Sequence, residues 1–396
     1  MSWTYWWFRL SVFFGGRGPF TQTLFKRDNV NKILLLSSNL ICLEKWNALS
    51  IVSTGTQKLM ATINDICRIT GFSKATVSRA INETGPVKES TRKVIHAAMQ
   101  QLNFRPNLVA QALANKSGNS IGLVVSDFDG AHFGHLLKNA ALVADQTNKQ
   151  LIVTDGHNEP EREKQAIYSL VDRRCSVLIV YTRHMTEIDM LSIQQEIGLP
   201  IIFIGRSLPS HCGYSIYFDN EHATKQAVSH LLSLGHTRIA YFGPPAITPT
   251  GIVRMDTYRK MLLEWGIEYQ EHWYQCSSFN IAEGHRAAKQ YLTNGGGCSA
   301  LFAASDSIAF GAMQAFREAG LLLPNDMSIA SIDDEEISAY LSPPLTTYRF
   351  PLTEMVHHAM AIALKLMDGQ EVPFESKVFR GELKIRSSGM TCITSS

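Results

Sequence analysis

The chain has no unbroken apolar run of about 18 residues, the length a membrane-crossing helix needs. Seven cysteines are few for 396 residues. Cys42, Cys67, Cys175, Cys212, Cys276, Cys298 and Cys392 never stand at C-x-x-C spacing, and no His pair completes a zinc pattern. They read as reduced packing residues of a cytoplasmic protein, not as a disulfide frame, and no metal is called for. Catalytic signatures are missing too. Neither H-E-x-x-H nor G-x-S-x-G occurs, and the 13 histidines are scattered. Gly295-Gly296-Gly297 is not followed by a Lys-Ser/Thr helix start, so it is a loop and not a phosphate cradle. No nucleophile–base constellation stands out. The expectation is a non-enzyme with no cofactor.

What is present is concentrated between Thr62 and Lys116. Thr62 is an N-cap with Asp65 three residues on, close to a capping box. Ile63, Ile66 and Ile69 are expected on one inner face. Gly71 supplies a turn residue that tolerates positive φ. Ser73 then caps a second helix, Lys74 to Ile81, with Val77 and Ile81 inward and Lys74, Ala75, Ser78 and Arg79 on free faces. A third helix follows Pro86, with Ile95, Met99 and Leu102 as its inner stripe. Two short helices joined by a tight Gly turn form a helix-turn-helix, whose second helix enters the DNA major groove. Charge agrees. Residues 60–117 hold eight Lys or Arg against three Asp or Glu, whereas residues 118–396 hold 22 against 30. A basic module on an acidic body is an electrostatic footprint for phosphate.

The motif Ser73-Lys74-Ala75-Thr76-Val77-Ser78-Arg79 and the segment Arg105 to Ala114 resemble the lactose/galactose repressor family, and the likeness runs from Thr62 almost to Ser388. The stretch GHNEPEREKQAIYSLVDRRC at 156–175 is most like the galactose repressors and the repressor of an aryl-β-glucoside operon. The resemblance implies DNA contacts from Thr62, Ser73, Lys74, Ala75, Thr76, Ser78, Arg79 and Asn82. After Pro106, Asn107 is a good N-cap for a helix through Ala114, too short to be stable alone. The family implies that this hinge helix forms on DNA, pairs with its twin, places Asn107 and Ala110 on DNA and drives Leu113 into the minor groove. Residue by residue, an ordinary linker helix fits as well.

Residues 1–59 do not match the rest. Trp3, Trp6, Trp7 and Trp46 are four of the chain's six tryptophans, and Arg9 is followed by a broken apolar stretch unlike a secretory signal. The preferred reading is a start at Met60 with 1–59 as translated upstream sequence; the competing one is a basic extension that adds non-specific DNA affinity. The expected organisation is 1–59 outside the fold, 60–105 as the DNA-binding domain, 106–119 as hinge and linker, and 120–390 as the body.

The body alternates β and α. Strands are expected at 121–126, 151–154, 177–181, 201–204, 215–218, 238–242, 300–304 and 328–332, separated by helical segments. Several strands are continuous Val/Ile/Leu runs, as strands covered on both faces should be. The fold class is therefore a small all-α helix-turn-helix domain plus an α/β body of two doubly wound subdomains, with a cleft at the strands' carboxyl ends. The family's body is of this kind and resembles periplasmic sugar-binding proteins.

Polar residues just past strand ends are the candidates for that cleft: Asp127, Arg206, Ser305, Asp306 and Asp333, with Arg254 near the start of its helix. Carboxylates and guanidinium groups suit a sugar, whose hydroxyls both donate and accept, and Phe279 would cover its apolar face. These seven match family positions lining the effector pocket. Ser305 stands where many members carry Asn, and Gly205 where some carry a polar residue. A helix cap is the plainer role for Asp306. The family implies a cytoplasmic homodimeric repressor on a pseudopalindromic operator, with a small sugar or glycoside as effector and no membrane partner. A dimer is expected over a tetramer, since no leucine-heptad tail follows Ser388. The competing class is a sugar-binding transport protein or sugar enzyme with an accessory module. It would need a secretory signal or a catalytic set.

Overall fold

The structure, a computed structural model, describes residues 61–82, 85–104, 119–128 and 130–392. The segment 1–59 and the hinge positions Asn107, Ala110 and Leu113 lie outside the described residues. Three helices come first: α1 (Ile63–Thr70), α2 (Lys74–Asn82) and α3 (Glu89–Gln101). The Asp65 carboxylate accepts from the Thr62 N–H at 2.9 Å and the Thr62 hydroxyl at 2.7 Å, which fixes the start of α1. Gly71 ends it at φ 71°. Ile66, Val77, Ala80, Ile95 and Ala98 form the small core, with Ile63, Ile81, Met99 and Leu102 packed around it. Ile69 departs from its expected place and is 49% exposed. Three-residue steps lag the 3.6-residue turn, so by the third isoleucine the side chain has rotated off the inner face. Cys67, four residues after Ile63, packs there instead.

Twelve strands build two six-stranded sheets. The first contains β1 (Ser120–Val125), β2 (Gln150–Asp155), β3 (Val177–Tyr181), β4 (Ile201–Ile204), β5 (Tyr214–Phe218) and β11 (Glu375–Phe379), in the order β11-β5-β4-β3-β1-β2 and all parallel. The second contains β6 (Ile239–Gly243), β7 (Tyr274–Cys276), β8 (Ala300–Ala303), β9 (Ser328–Asp333), β10 (Thr346–Arg349) and β12 (Leu383–Lys384), in the order β12-β10-β9-β8-β6-β7. Only β12 runs antiparallel to its neighbour. Each expected strand is found, shifted by at most a residue or two. β7, β10, β11 and β12 were not expected.

Helices cover both faces. On the first sheet, α4 (Ala131–Gln146) and α11 (Leu352–Met367) pack on Ile121, Leu123 and Ile179. Alternate residues Val124, Leu178 and Val180 meet α5 (Pro160–Asp172) and α6 (Glu187–Glu196) on the other face. The period-two split of each apolar run is what a strand between two helix layers requires. The second sheet carries α7 (Asn220–Ser233), α8 (Pro249–Glu264), α9 (Ile281–Thr293) and α10 (Asp306–Glu318).

The chain crosses between the lobes three times: after β5, after β10 and after β11. The crossings are tied together. The Asp219 N–H donates to Phe379 O at 3.0 Å, Arg380 Nε donates to the Asp219 carboxylate at 2.8 Å, and the rings of Phe218 and Phe350 lie 4.3 Å apart. All parallel strands end toward the space between lobes, so the residues after them face it.

Helices α9 and α10, whose first turns border that space, meet through two buried glycines. A Cβ on Gly284 would collide with Ile308 O, and one on Gly311 with Ile281 O. Backbone oxygens cannot step aside as a side chain can. Gly311→Ala should therefore destabilise the body by about 1–3 kcal/mol, read as a lower thermal midpoint. An unchanged midpoint would mean that the helices do not depend on this close approach.

Candidate DNA-reading face and effector cleft

The DNA-reading candidates stand on the outer side of α2. The Ser73 hydroxyl accepts from the Thr76 N–H at 3.2 Å and lies 2.9 Å from the Thr76 hydroxyl, which caps the helix. Val77 and Ala80 anchor the inner side with no exposed surface. Lys74, Ala75 and Arg79 are exposed, and Thr76, Ser78 and Asn82 are half-buried. Asn82 Nδ2 donates to the Ser78 hydroxyl at 3.2 Å. Thr62, Ser73, Lys74, Ala75 and Arg79 are thus presented outward by a packed scaffold.

A cleft of about 770 Å³ opens between the lobes. Asp127, Arg254, Phe279, Ser305 and Asp333 line it. Arg254 is 4% exposed, donates from Nε to Asn220 Oδ1 at 3.0 Å and from Nη1 to Ala304 O, and stands 5.7 Å from the Phe279 ring centre. Asp333 takes φ 135°, a conformation that costs a non-glycine residue roughly 1–3 kcal/mol. Burial, then the charge of Asp306, pushes its carboxyl well above the usual range, while Arg254 opposes the shift. The Ser305 hydroxyl is already used: it accepts from the Ile308 N–H at 3.2 Å as the cap of α10.

The pattern "Bacterial regulatory proteins, lacI family" matches residues 62–107, and "Periplasmic binding protein-like domain" matches residues 228–389. The transcriptional regulator AscG of Escherichia coli K12 is 32% identical over 331 residues, spanning 83% of this chain and 98% of the relative. The chain belongs to the LacI family. GalR of the same organism is 33% identical over 332 residues, covering 84% of this chain and 96% of GalR. The lac repressor dimer bound to operator and the anti-inducer ONPF superposes with a TM-score of 0.76 at 28% identity, over 84% of this chain and 99% of that one. Like AscG and GalR, this LacI-family chain is a DNA-binding transcriptional regulator and not an enzyme. No helix among the described residues is long and apolar enough to cross a membrane.

Two of the expected effector residues are placed differently by the structure. Asp306 does not line the cleft and has no exposed surface. Its carboxylate accepts the hydroxyls of Ser331, Thr347 and Ser338 at 2.5, 2.6 and 2.5 Å, and the Glu335 N–H at 2.8 Å. Its neighbour Ser305 takes the capping role. Arg206, itself half-buried, also stands off the cleft lining, and its buried Nε has no hydrogen-bond partner among the described residues.

Other lining residues escaped the sequence. Arg183 follows β3, and its guanidinium carbon lies 4.9 Å from the Phe133 ring centre and 5.1 Å from that of Phe279. Such cation–π contacts each contribute about 0.5–2 kcal/mol. Asn158, past β2, and Asn220, past β5, line the cleft as well. Their position past strand ends is the signal that the sequence offers for them. His132, in the first turn of α4, has Nε2 3.0 Å from the Tyr181 hydroxyl.

Burial, reinforced by the charges of Arg183 and Arg254, pushes His132 down to about 3 from 6.5. The unfolded chain therefore binds a proton through this window and the folded chain does not, so this residue's stabilisation is lost as pH falls from about 6.5 toward 3. Asp306, pushed up to about 6 by burial, acts in the opposite sense over part of the window. The difference between proteins isolates the histidine: His132→Gln should lose less stability than the wild type between pH 7 and 4, measured by thermal unfolding. Parallel profiles would refute the assignment.

Proposed function

We propose that this regulator is a homodimeric, cytoplasmic repressor whose operator affinity is set by a small, neutral sugar or glycoside held between the two lobes of its body. The observation that carries the reading is the company around Phe279: the Arg254 guanidinium beside one aromatic ring, with the Asp333 and Asp127 carboxylates in the same cleft. Acceptors and donors placed around a ring suit polyhydroxylated ligands. A lac repressor structure holds ONPG in its repressed state, at 28% identity and a TM-score of 0.75, which supports the ligand class. In this reading residues 60–105 bind DNA, 106–119 form the hinge with Leu113 as its wedge, and 120–390 bind effector and partner. Asn107 and Ala110 meet DNA beside Leu113. Asp306 supports the cleft from behind through its bonds to β9, β10 and Glu335.

The direct test is operator binding by fluorescence anisotropy, with glucosides and galactosides titrated by calorimetry in parallel. Arg79 is the base reader in this proposal. A bidentate Arg–guanine pair is worth about 1–3 kcal/mol of discrimination, so Arg79→Ala should relax specificity at one position per half-site. Equal losses on specific and random DNA would remove Arg79 from base readout.

Arg254→Ala removes one partner of a desolvated, charge-assisted set. Effector affinity should fall by about 2–5 kcal/mol, or roughly 30-fold and more, with operator affinity kept. Ligand response is then lost whatever its sign. Intact sugar affinity would take Arg254 out of the site.

A further inference from the structure

Glu163 lies on α5 with no exposed surface. Oε1 accepts the Ser126 hydroxyl at 2.8 Å, and Oε2 accepts the Thr182 hydroxyl at 2.6 Å. Thr182 must be the donor there, because its oxygen already accepts the backbone N–H groups of His184 and Met185 at 3.3 and 3.0 Å. Behind the carboxylate the chain is equally close. A Cβ on Gly156 would fall 2.6 Å from Glu163 Cγ. Burying a carboxylate is costly, and a well-packed apolar side chain in its place is often as stable or more so. Stability alone therefore gives no reason for an acid at this position.

Place gives one. Ser126 and Thr182 are the residues directly before Asp127 and Arg183, which line the cleft. They stand at the ends of β1 and β3, neighbours in the sheet. We propose that Glu163 is a positioning residue for the effector: by holding Ser126 and Thr182 together from behind, it sets where Asp127 and Arg183 meet the ligand. The proposal rests on the reading of the cleft as the effector site. Arg183 makes the placement matter, since it reaches Phe279 on the opposite lobe. Asp306 does a related service in the second lobe, where it holds the paired residues Ser331 of β9 and Thr347 of β10.

Glu163→Gln tests the geometry without the charge. Its amide oxygen can accept from Thr182, and its NH2 can donate to Ser126, whose hydroxyl turns to Tyr181 O, now 3.1 Å away. Glu163→Leu removes both bonds. By calorimetry with salicin, cellobiose and galactose, the Gln variant should bind like the wild type. The Leu variant should bind roughly 10- to 100-fold more weakly, the worth of one charge-assisted hydrogen bond. Its operator affinity and thermal midpoint should hold. A second readout needs no sugar: amide hydrogen exchange at His184 and Met185 should accelerate in the Leu variant and stay normal in the Gln variant. If the wild type binds none of the three sugars, the effector reading loses its ligand class, and the exchange result still decides the role of Glu163. Wild-type sugar affinity and exchange in Glu163→Leu would overturn the proposal. So would a joint loss of stability, operator binding and sugar binding, or a Gln variant as impaired as Leu.

Discussion

Asp306 holds a carboxylate with no access to water, and the second lobe's side of the cleft is arranged around it. A bare carboxylate in such a place would cost several kcal/mol. Four donors from β9, β10 and the turn at Glu336–Ala339 offset that cost, and in doing so they bind these three segments to the start of α10. The consequence reaches the cleft two residues past Ser331. Asp333, in a backbone conformation that few residues adopt, has its carboxyl pushed up by burial and then by the field of Asp306, and the charges of Arg254 and Arg183 favour its ionised form. Arg254 in turn is held by Asn220 and Ala304 O, and it borders Phe279. The cleft's charge pattern thus descends from one buried acid outward.

The first lobe repeats the plan with different residues. Glu163 takes hydroxyls from just past two adjacent strand ends, where Asp306 takes them from paired residues within β9 and β10, and the residues after Ser126 and Thr182 line the cleft. Parallel sheets make such an arrangement natural. All the strands finish on one side, so a single acid on a covering helix can reach two of them. Hydroxyls suit the role, because each can donate to the acid while accepting a backbone N–H, as Thr182 does.

Much of this was legible in the residues, and what was not has identifiable causes. β1, β3 and β4 read as strands because both faces are covered and the run is apolar throughout. β10 did not, because Thr346 and Thr347 are buried polar residues whose hydroxyls are satisfied by Arg386 and Asp306, partners far away in the chain. β11 is an edge strand paired only with β5, and its Glu375, Ser376 and Lys377 carry no core signal. In the cleft, Asp127, Arg254, Phe279 and Asp333 were found from their positions and the family likeness. Arg206 and Asp306 have the right chemistry at the right strand ends, yet side-chain direction depends on neighbours that sequence spacing does not reveal. Arg183 stands two residues past β3, as Asp127 does past β1, whereas His132 carries no local pattern. Their place in the cleft is set by Phe133, Tyr181 and Phe279, which come from three separate segments.

The division of these groups between lobes bears on how a ligand could act on DNA. A ligand shifts a conformational equilibrium only by its differential affinity for the two states. If it touched one lobe alone, its contacts would be the same with the lobes apart or together, and nothing would be transmitted. Here Asp127, Arg183 and His132 come from the first lobe, and Arg254, Phe279 and Asp333 from the second. A ligand contacting both sets gains contacts on closure that it lacks when the cleft is open. The three crossings between the lobes, cross-tied at Asp219, Phe379 and Arg380, leave the lobes a shared pivot and little else to stretch. Contacts made across the cleft must therefore be expressed as rotation about that pivot. The Arg183–Phe279 contact spans the gap between the lobes. A ring that takes its place against Phe279 has to exceed the roughly 0.5–2 kcal/mol which that contact supplies before it can change the separation of the lobes.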